Sequence, residues 1–146
     1  MRKILKISGL LLVIVLVTGC GGSKEKVLTC TSSNKEAGME IVEELNITFK
    51  SKKAVKLKKI EKLVLDDDYK TYIKQFADAA SNQYASYKNE KGITYKVDTK
   101  DNKVIITFDA DFSKLSKELK KELIFDSSND FSSTKKSLEE NGFKCK

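Results

Sequence analysis

The sequence predicts an α+β domain: an antiparallel β-sheet with one long helix packed on one face and shorter helices toward the C-terminal end. Three observations carry this. Apolar and polar residues alternate over 39–49, 54–65, 93–97 and 104–108, and one long segment between these runs repeats apolar residues at three- and four-residue steps. Strands and helices also fail to alternate regularly, which argues against a parallel, doubly wound sheet. At 146 residues the chain has room for one domain of ordinary size, roughly 100–150 residues.

Ahead of that domain, residues 1–19 read as an export signal. Arg2, Lys3 and Lys6 make a basic start, and Ile7 to Val17 form an apolar run broken only by Ser8 and Gly9. The run is shorter than the about 20 apolar residues a membrane-spanning helix needs. It ends in Val17-Thr18-Gly19-Cys20, which resembles the lipobox of bacterial lipoproteins, an aliphatic residue and two small ones before an invariant cysteine. The resemblance implies a diacylglyceryl group on Cys20 and cleavage before it. Residues 20–26 then become a lipidated cysteine with a flexible tether, and 27–146 the domain. More than one acyl chain, each contributing about 0.8 kcal/mol per buried methylene, makes a stable anchor.

Loss of residues 1–19 would take three of the 28 basic residues and none of the 21 acidic ones, leaving a net charge of +4. That excess favours an anionic lipid surface or wall polymer only weakly. Nucleic acid is not an expected partner outside the cell.

With Cys20 taken by lipid, Cys30 and Cys145 remain. Two cysteines in an oxidising compartment allow a single pairing, and a disulfide closing so long a loop stabilises by about 4.7 kcal/mol on chain-entropy grounds. A redox pair would sit closer in sequence. A zinc site would need more ligands than a chain without histidine supplies.

Within the domain, Val27 to Ser32 is a short strand and Ser33 to Gly38 a polar turn. In the next strand Met39, Ile41, Leu45, Ile47 and Phe49 share one face, and only Glu43 violates it. After a turn near Lys52 comes a lysine-rich strand with Val55, Leu57, Leu63 and Leu65 on its apolar side. Lys59 and Glu61 interrupt that side, as a bulge or an exposed strand end would. The turn sets Thr48 opposite Lys56 and Asn46 opposite Lys58, so Lys56, Lys58 and Lys62 form a basic stripe that Glu44 reaches only diagonally. Such stripes are mostly solvated or edge-protecting. Polyanion contact by these three lysines is the functional alternative.

Asp66, Asp67 and Asp68 are placed to cap a helix. Its stripe runs from Tyr69 through Tyr72, Ile73, Phe76, Ala80 and Tyr84 to Tyr87, and aromatic residues at this spacing are core more often than ligand wall. Ile93, Tyr95 and Val97 return as Val104, Ile106 and Phe108 through a loop at 100–102, a hairpin. Phe112, Leu115, Leu119, Leu123 and Phe125 mark a second helix. Ser132 or Ser133 can cap a last one ending at Gly142, and Phe143 to Cys145 can pair back beside Cys30.

No catalytic residues are expected. Without histidine there is neither an imidazole base nor a triad of the usual kind, and the nucleophile and phosphate-loop motifs are missing. Asp109 and Asp111, at a strand end, suit turn formation. Asp126, Ser128 and Asp130 occupy the first calcium-loop positions, but Phe131 stands where glycine is needed and Ser137 where glutamate is, so no metal is expected either.

The lipobox, Thr29-Cys30-Thr31, Gly38-Met39-Glu40-Ile41, Thr48-Phe49-Lys50 and Gly142-Phe143-Lys144-Cys145-Lys146 together resemble the YehR-like small bacterial lipoproteins over nearly the whole chain. The resemblance implies an α+β domain held outside the cytoplasmic membrane, and it carries no catalytic or ligand residues. The expected role is a non-enzymatic envelope module displayed on its lipid. It would bind a small ligand or an envelope protein, for which a groove between the tyrosine-rich helix and the sheet would serve. Contact with anionic lipid or polymer through the lysine strand is the alternative, and a hydrolase a more distant one.

Overall fold

In the computed structural model, which describes residues 24–123 and 130–146, two long hairpins open the fold. Strand β1 (Glu25–Glu36) pairs with β2 (Met39–Lys50) along its full length. Their turn is Ala37-Gly38, with both residues left-handed at φ +47° and +78°, a geometry whose twist matches that of paired strands. Gly38 is also needed for space, because a Cβ there would lie 2.8 Å from the Tyr69 ring. The strand therefore outruns the expected Val27–Ser32 at both ends. Glu25 and Lys26, assigned to the tether, open it, and the polar run 33–36 stays in the ladder, where Ser33 Oγ donates to Glu40 Oε1 at 2.8 Å.

Strand β3 (Lys53–Leu65) follows a turn with Ser51 left-handed at φ +58°. Its register sets Thr48 opposite Lys56 and Asn46 opposite Lys58, as the alternation predicts, with an irregularity at Thr48/Phe49. A 3₁₀ segment (Asp67–Tyr72) leads into α1 (Ile73–Tyr84), and a second (Ala85–Tyr87) leads out. The expected long helix is thus α-helical only at its centre. Asp66 stands at the first segment's N-terminus without a side-chain cap, its carboxylate lying 3.7 Å from Lys35 Nζ. Hairpin β4 (Ile93–Lys100) and β5 (Lys103–Asp111) falls where expected.

The second helix is shorter than its apolar residues suggest. Phe112 and Leu115 are buried in the turn before α2 (Lys117–Leu123), and Phe125 lies outside the described residues, as do Asp126 and Ser128. Helix α3 (Phe131–Glu140) is capped by Asp130 rather than by a serine: its carboxylate accepts from the Ser132 and Ser133 amides at 2.9 Å, placing negative charge at the positive end of the helix. Gly142, at φ +87°, ends the segment, and β6 (Lys144–Cys145) pairs with β1, Cys145 opposite Cys30.

The sheet is antiparallel throughout, in the order β4-β5-β3-β2-β1-β6. Leu28, Leu45, Ile47, Phe49, Leu57, Ile106 and Phe108 share its core face. Helix α1 covers that face over β4 and β5, and α3 covers it over β1 and β6, with Phe131 meeting Phe49 edge-on. An α+β fold with helices on a six-stranded open sheet is the result. The disulfide Cys30–Cys145 joins β1 to β6, with Cys30 fully buried.

Candidate functional site

The three residues that break the apolar pattern, Glu43, Lys59 and Glu61, form one cluster on the core face. Glu43 and Glu61 are directly opposed in register, and Lys59 sits two residues before Glu61 on β3. Lys59 Nζ donates to Glu43 Oε1 at 2.9 Å and to Glu61 Oε2 at 2.8 Å, each side chain about a quarter exposed. Burial alone would lower the lysine pKa. The hydrogen bonds to Glu61 and Glu43 outweigh it and hold the ammonium well above its ordinary value. No bulge and no strand end was needed to excuse these charges, because they satisfy one another.

The cluster stands at the side of a cavity of about 300 Å³ between the sheet and the tyrosine-bearing helix. Leu45, Leu57 and Phe108 form its floor, with Lys59 beside them, while Tyr84, Tyr87 and Gln83 form the helical wall and Glu122 and Leu123 of α2 close a third side. Two of the helix tyrosines, Tyr84 and Tyr87, line this cavity, whereas Tyr72 is exposed. Tyr84 is buried against Tyr95 and Phe108, with ring centroids 5.8 and 5.6 Å away, yet also lines the cavity. Tyr87 packs edge-on against Phe108 at 5.7 Å and donates from its hydroxyl to Glu122 Oε1 at 2.6 Å. That bond to a carboxylate pushes the Tyr87 hydroxyl up to about 12. Burial raises Tyr84 too, with Lys59 pulling the other way. The cavity thus combines an apolar floor, an aromatic wall and a few charged groups, a lining of the kind that small-molecule pockets commonly have.

On the opposite face, which no helix covers among the described residues, Lys56, Lys58 and Lys62 are exposed. The stripe is not free of acid. Strand β5 places Asp111 opposite Lys56 and Asp109 opposite Lys58, while Lys62 faces Ile105. Asn46, Lys58 and Asp109 lie in one cross-strand row, Thr48, Lys56 and Asp111 in the next, around a shallow concavity of about 530 Å³. Asp111 accepts from Ser113 Oγ at 2.6 Å and lies 3.2 Å from Lys114 Nζ, and these hold its carboxyl below the usual range.

Cys20 lies outside the described residues. Among those described, no helix is long and apolar enough to cross a membrane.

Fold and disulfide thus define a class: a small α+β domain with helices on one face of an open antiparallel sheet, its first and last strands bridged. Compared by sequence, the chain matches no family profile and no curated relative. Compared by structure, it is similar to the NMR structure of the E. coli YehR protein, at TM-score 0.59 and 19% identity, covering 83% of this chain and 91% of that one. It is also similar to the NMR structure of a protein from Streptococcus pneumoniae TIGR4, at TM-score 0.55 and 17% identity, over 100% and 99% of the two chains. The fold is therefore YehR-like.

Proposed function

We propose that the chain is a lipoprotein of the YehR-like family, acylated on Cys20 and displayed on the outer face of the cytoplasmic membrane, where its domain binds a small ligand or a protein partner without catalysis. The cavity between α1 and the sheet carries this reading. It is the kind of groove a binding module needs, and its wall holds Tyr84, Tyr87 and Phe108, whose large amphipathic surfaces favour recognition. The Cys30–Cys145 bridge suits an oxidising compartment. The lack of histidine in the whole chain supports a non-catalytic role. Polyanion binding through Lys56, Lys58 and Lys62 has less support, because Asp109 and Asp111 stand beside two of the three.

Two measurements test the reading. Labelling with a radioactive fatty acid should mark the wild-type chain and leave Cys20→Ala unlabelled and uncleaved. A photo-cross-linking residue in place of Gln83, at the cavity wall, should capture an adduct in intact envelopes, whereas the same residue in place of Lys58 on the open face should not. Equal labelling of Cys20→Ala refutes the anchor, and capture at Lys58 alone refutes the cavity.

A further inference from the structure

The chain enters the sheet at one pole, and that pole is basic. Lys24 and Lys26 flank the first residue of β1, and the ladder sets Glu25 opposite Lys50 and Lys50 opposite Lys53, with Lys52 in the turn between. All five lysines are exposed. Among the described residues none of them has a carboxylate within ion-pairing distance. The acids nearby include Glu25, Asp111 opposite Lys56, and Asp130, which caps α3 and feels the charge of Lys52. Lys26 Nζ lies over the Phe131 ring, 5.9 Å from its centroid, a cation–π contact that holds the ammonium at this pole.

The opposite pole is mixed in charge. There the β1–β2 turn meets Asp66, which Asp67 and Asp68 follow, and Lys35 pairs with Asp66 and Lys70 with Asp67, while Lys100 and Lys103 of the β4–β5 hairpin stand at that end without an ion pair among the described residues.

We infer that the basic pole formed by Lys24, Lys26, Lys50, Lys52 and Lys53 is a membrane-facing surface that rests on anionic phospholipid headgroups. The inference rests on acylation of Cys20, as proposed above. Four residue steps separate Cys20 from Lys24, at most about 14 Å of extended chain, whereas the 13 residues of β3 run about 43 Å at 3.3 Å each. The lipid therefore holds this pole at the surface, and the opposite pole reaches it only if the domain lies flat. Screening decides which lysines count. Attraction to the leaflet fades within about 8–10 Å, and along β3 Lys56, Lys58 and Lys62, three, five and nine residues on from Lys53, stand about 10, 17 and 30 Å away. Lys58 and Lys62 of the stripe are thus out of reach, and Lys56 stands at its limit. Five positive charges at the surface, each strengthening contact about fivefold, suffice to hold the domain upright.

The test uses the mature acylated protein, its lipid verified by mass, reconstituted into vesicles of phosphatidylcholine alone or with phosphatidylglycerol at about 7:3. Hydrogen exchange of the amides at 24–26 and 50–54 should slow several-fold on the anionic vesicles relative to the neutral ones, and the difference should vanish at high salt. Lys50→Gln/Lys52→Gln/Lys53→Gln should abolish it with an unchanged circular dichroism spectrum, and the stripe variant Lys58→Gln/Lys62→Gln should not. Equal exchange on both vesicles, or an effect abolished by the stripe variant instead, overturns the membrane-facing pole and leaves the anchor standing. A mature chain with no acyl mass on Cys20 overturns both.

Discussion

Strand β3 carries lysines on both faces of the sheet, and the two sets differ in everything but residue type. On the core face Lys59 is held by Glu43 and Glu61 at under 3 Å and lies beside a cavity. On the open face Lys56, Lys58 and Lys62 are solvated and make no ion pair among the described residues. The difference teaches that the neighbouring strands, not the local run of lysines, decide which cation the structure depends on. Removing a solvated charge costs little. Removing the cation between two carboxylates leaves them facing each other where water only partly compensates.

The largest effect should therefore come from Lys59→Met. A partner lost from a fully buried ion pair costs about 3–5 kcal/mol, and the partial exposure of this cluster reduces that to about 2 kcal/mol. The urea midpoint should fall accordingly, with the slope unchanged. Replacing all three charges, as in Glu43→Leu/Lys59→Met/Glu61→Leu, should restore stability to within about 1 kcal/mol of the parent, because no orphaned carboxylate is left. A triple variant less stable than Lys59→Met would mean that the cluster stabilises the sheet in itself.

Alkaline titration sharpens the same contrast. The Lys59 pKa is raised in the folded chain above its ordinary 10.5. The folded state then binds the proton more tightly than the unfolded one, so the contribution is complete below about pH 10.5 and declines as pH rises past that value. Tyr84 and Tyr87, both raised above the ordinary 10.0, act in the same direction. The parent should lose stability above pH 10, and Lys59→Met should lose less over the same interval. Parallel curves would detach the ammonium from the titration.

How far these relations could be read in advance depends on their range along the chain. Alternation within a strand and the position of a turn are local, and they placed the β2–β3 register and the β4–β5 hairpin correctly, down to Thr48 opposite Lys56. Sheet order is not local. That β5 docks on the far side of β3 could not be seen from either strand, so Asp109 and Asp111 looked like turn formers rather than neighbours of the lysine stripe. The same blindness made Glu43, Lys59 and Glu61 look like three separate defects. Their signal was present, since three charges interrupting apolar faces of adjacent strands at matching register suggest mutual pairing. The helix was overextended for a different reason: 3₁₀ segments at both ends keep apolar residues at three-residue steps, and spacing alone does not distinguish them from α-helix. Asp130 was passed over as a cap because it had been read with the calcium-like run before it.

The smallest effect belongs to the stripe. Lys56→Gln/Lys58→Gln/Lys62→Gln removes three positive charges from exposed positions, and surface substitutions of this kind shift stability by about 0.5 kcal/mol or less each. The sign is informative. Lys56 and Lys58 stand opposite Asp111 and Asp109, so their loss removes weak attractions, while Lys62, opposite Ile105, has no acidic partner across the ladder. Single variants should therefore rank with Lys56→Gln and Lys58→Gln slightly destabilising and Lys62→Gln near zero, and added salt should erase the ranking. Were the stripe instead a region of self-repulsion, all three would stabilise at low salt, and the acids on β5 would have to be too distant to matter.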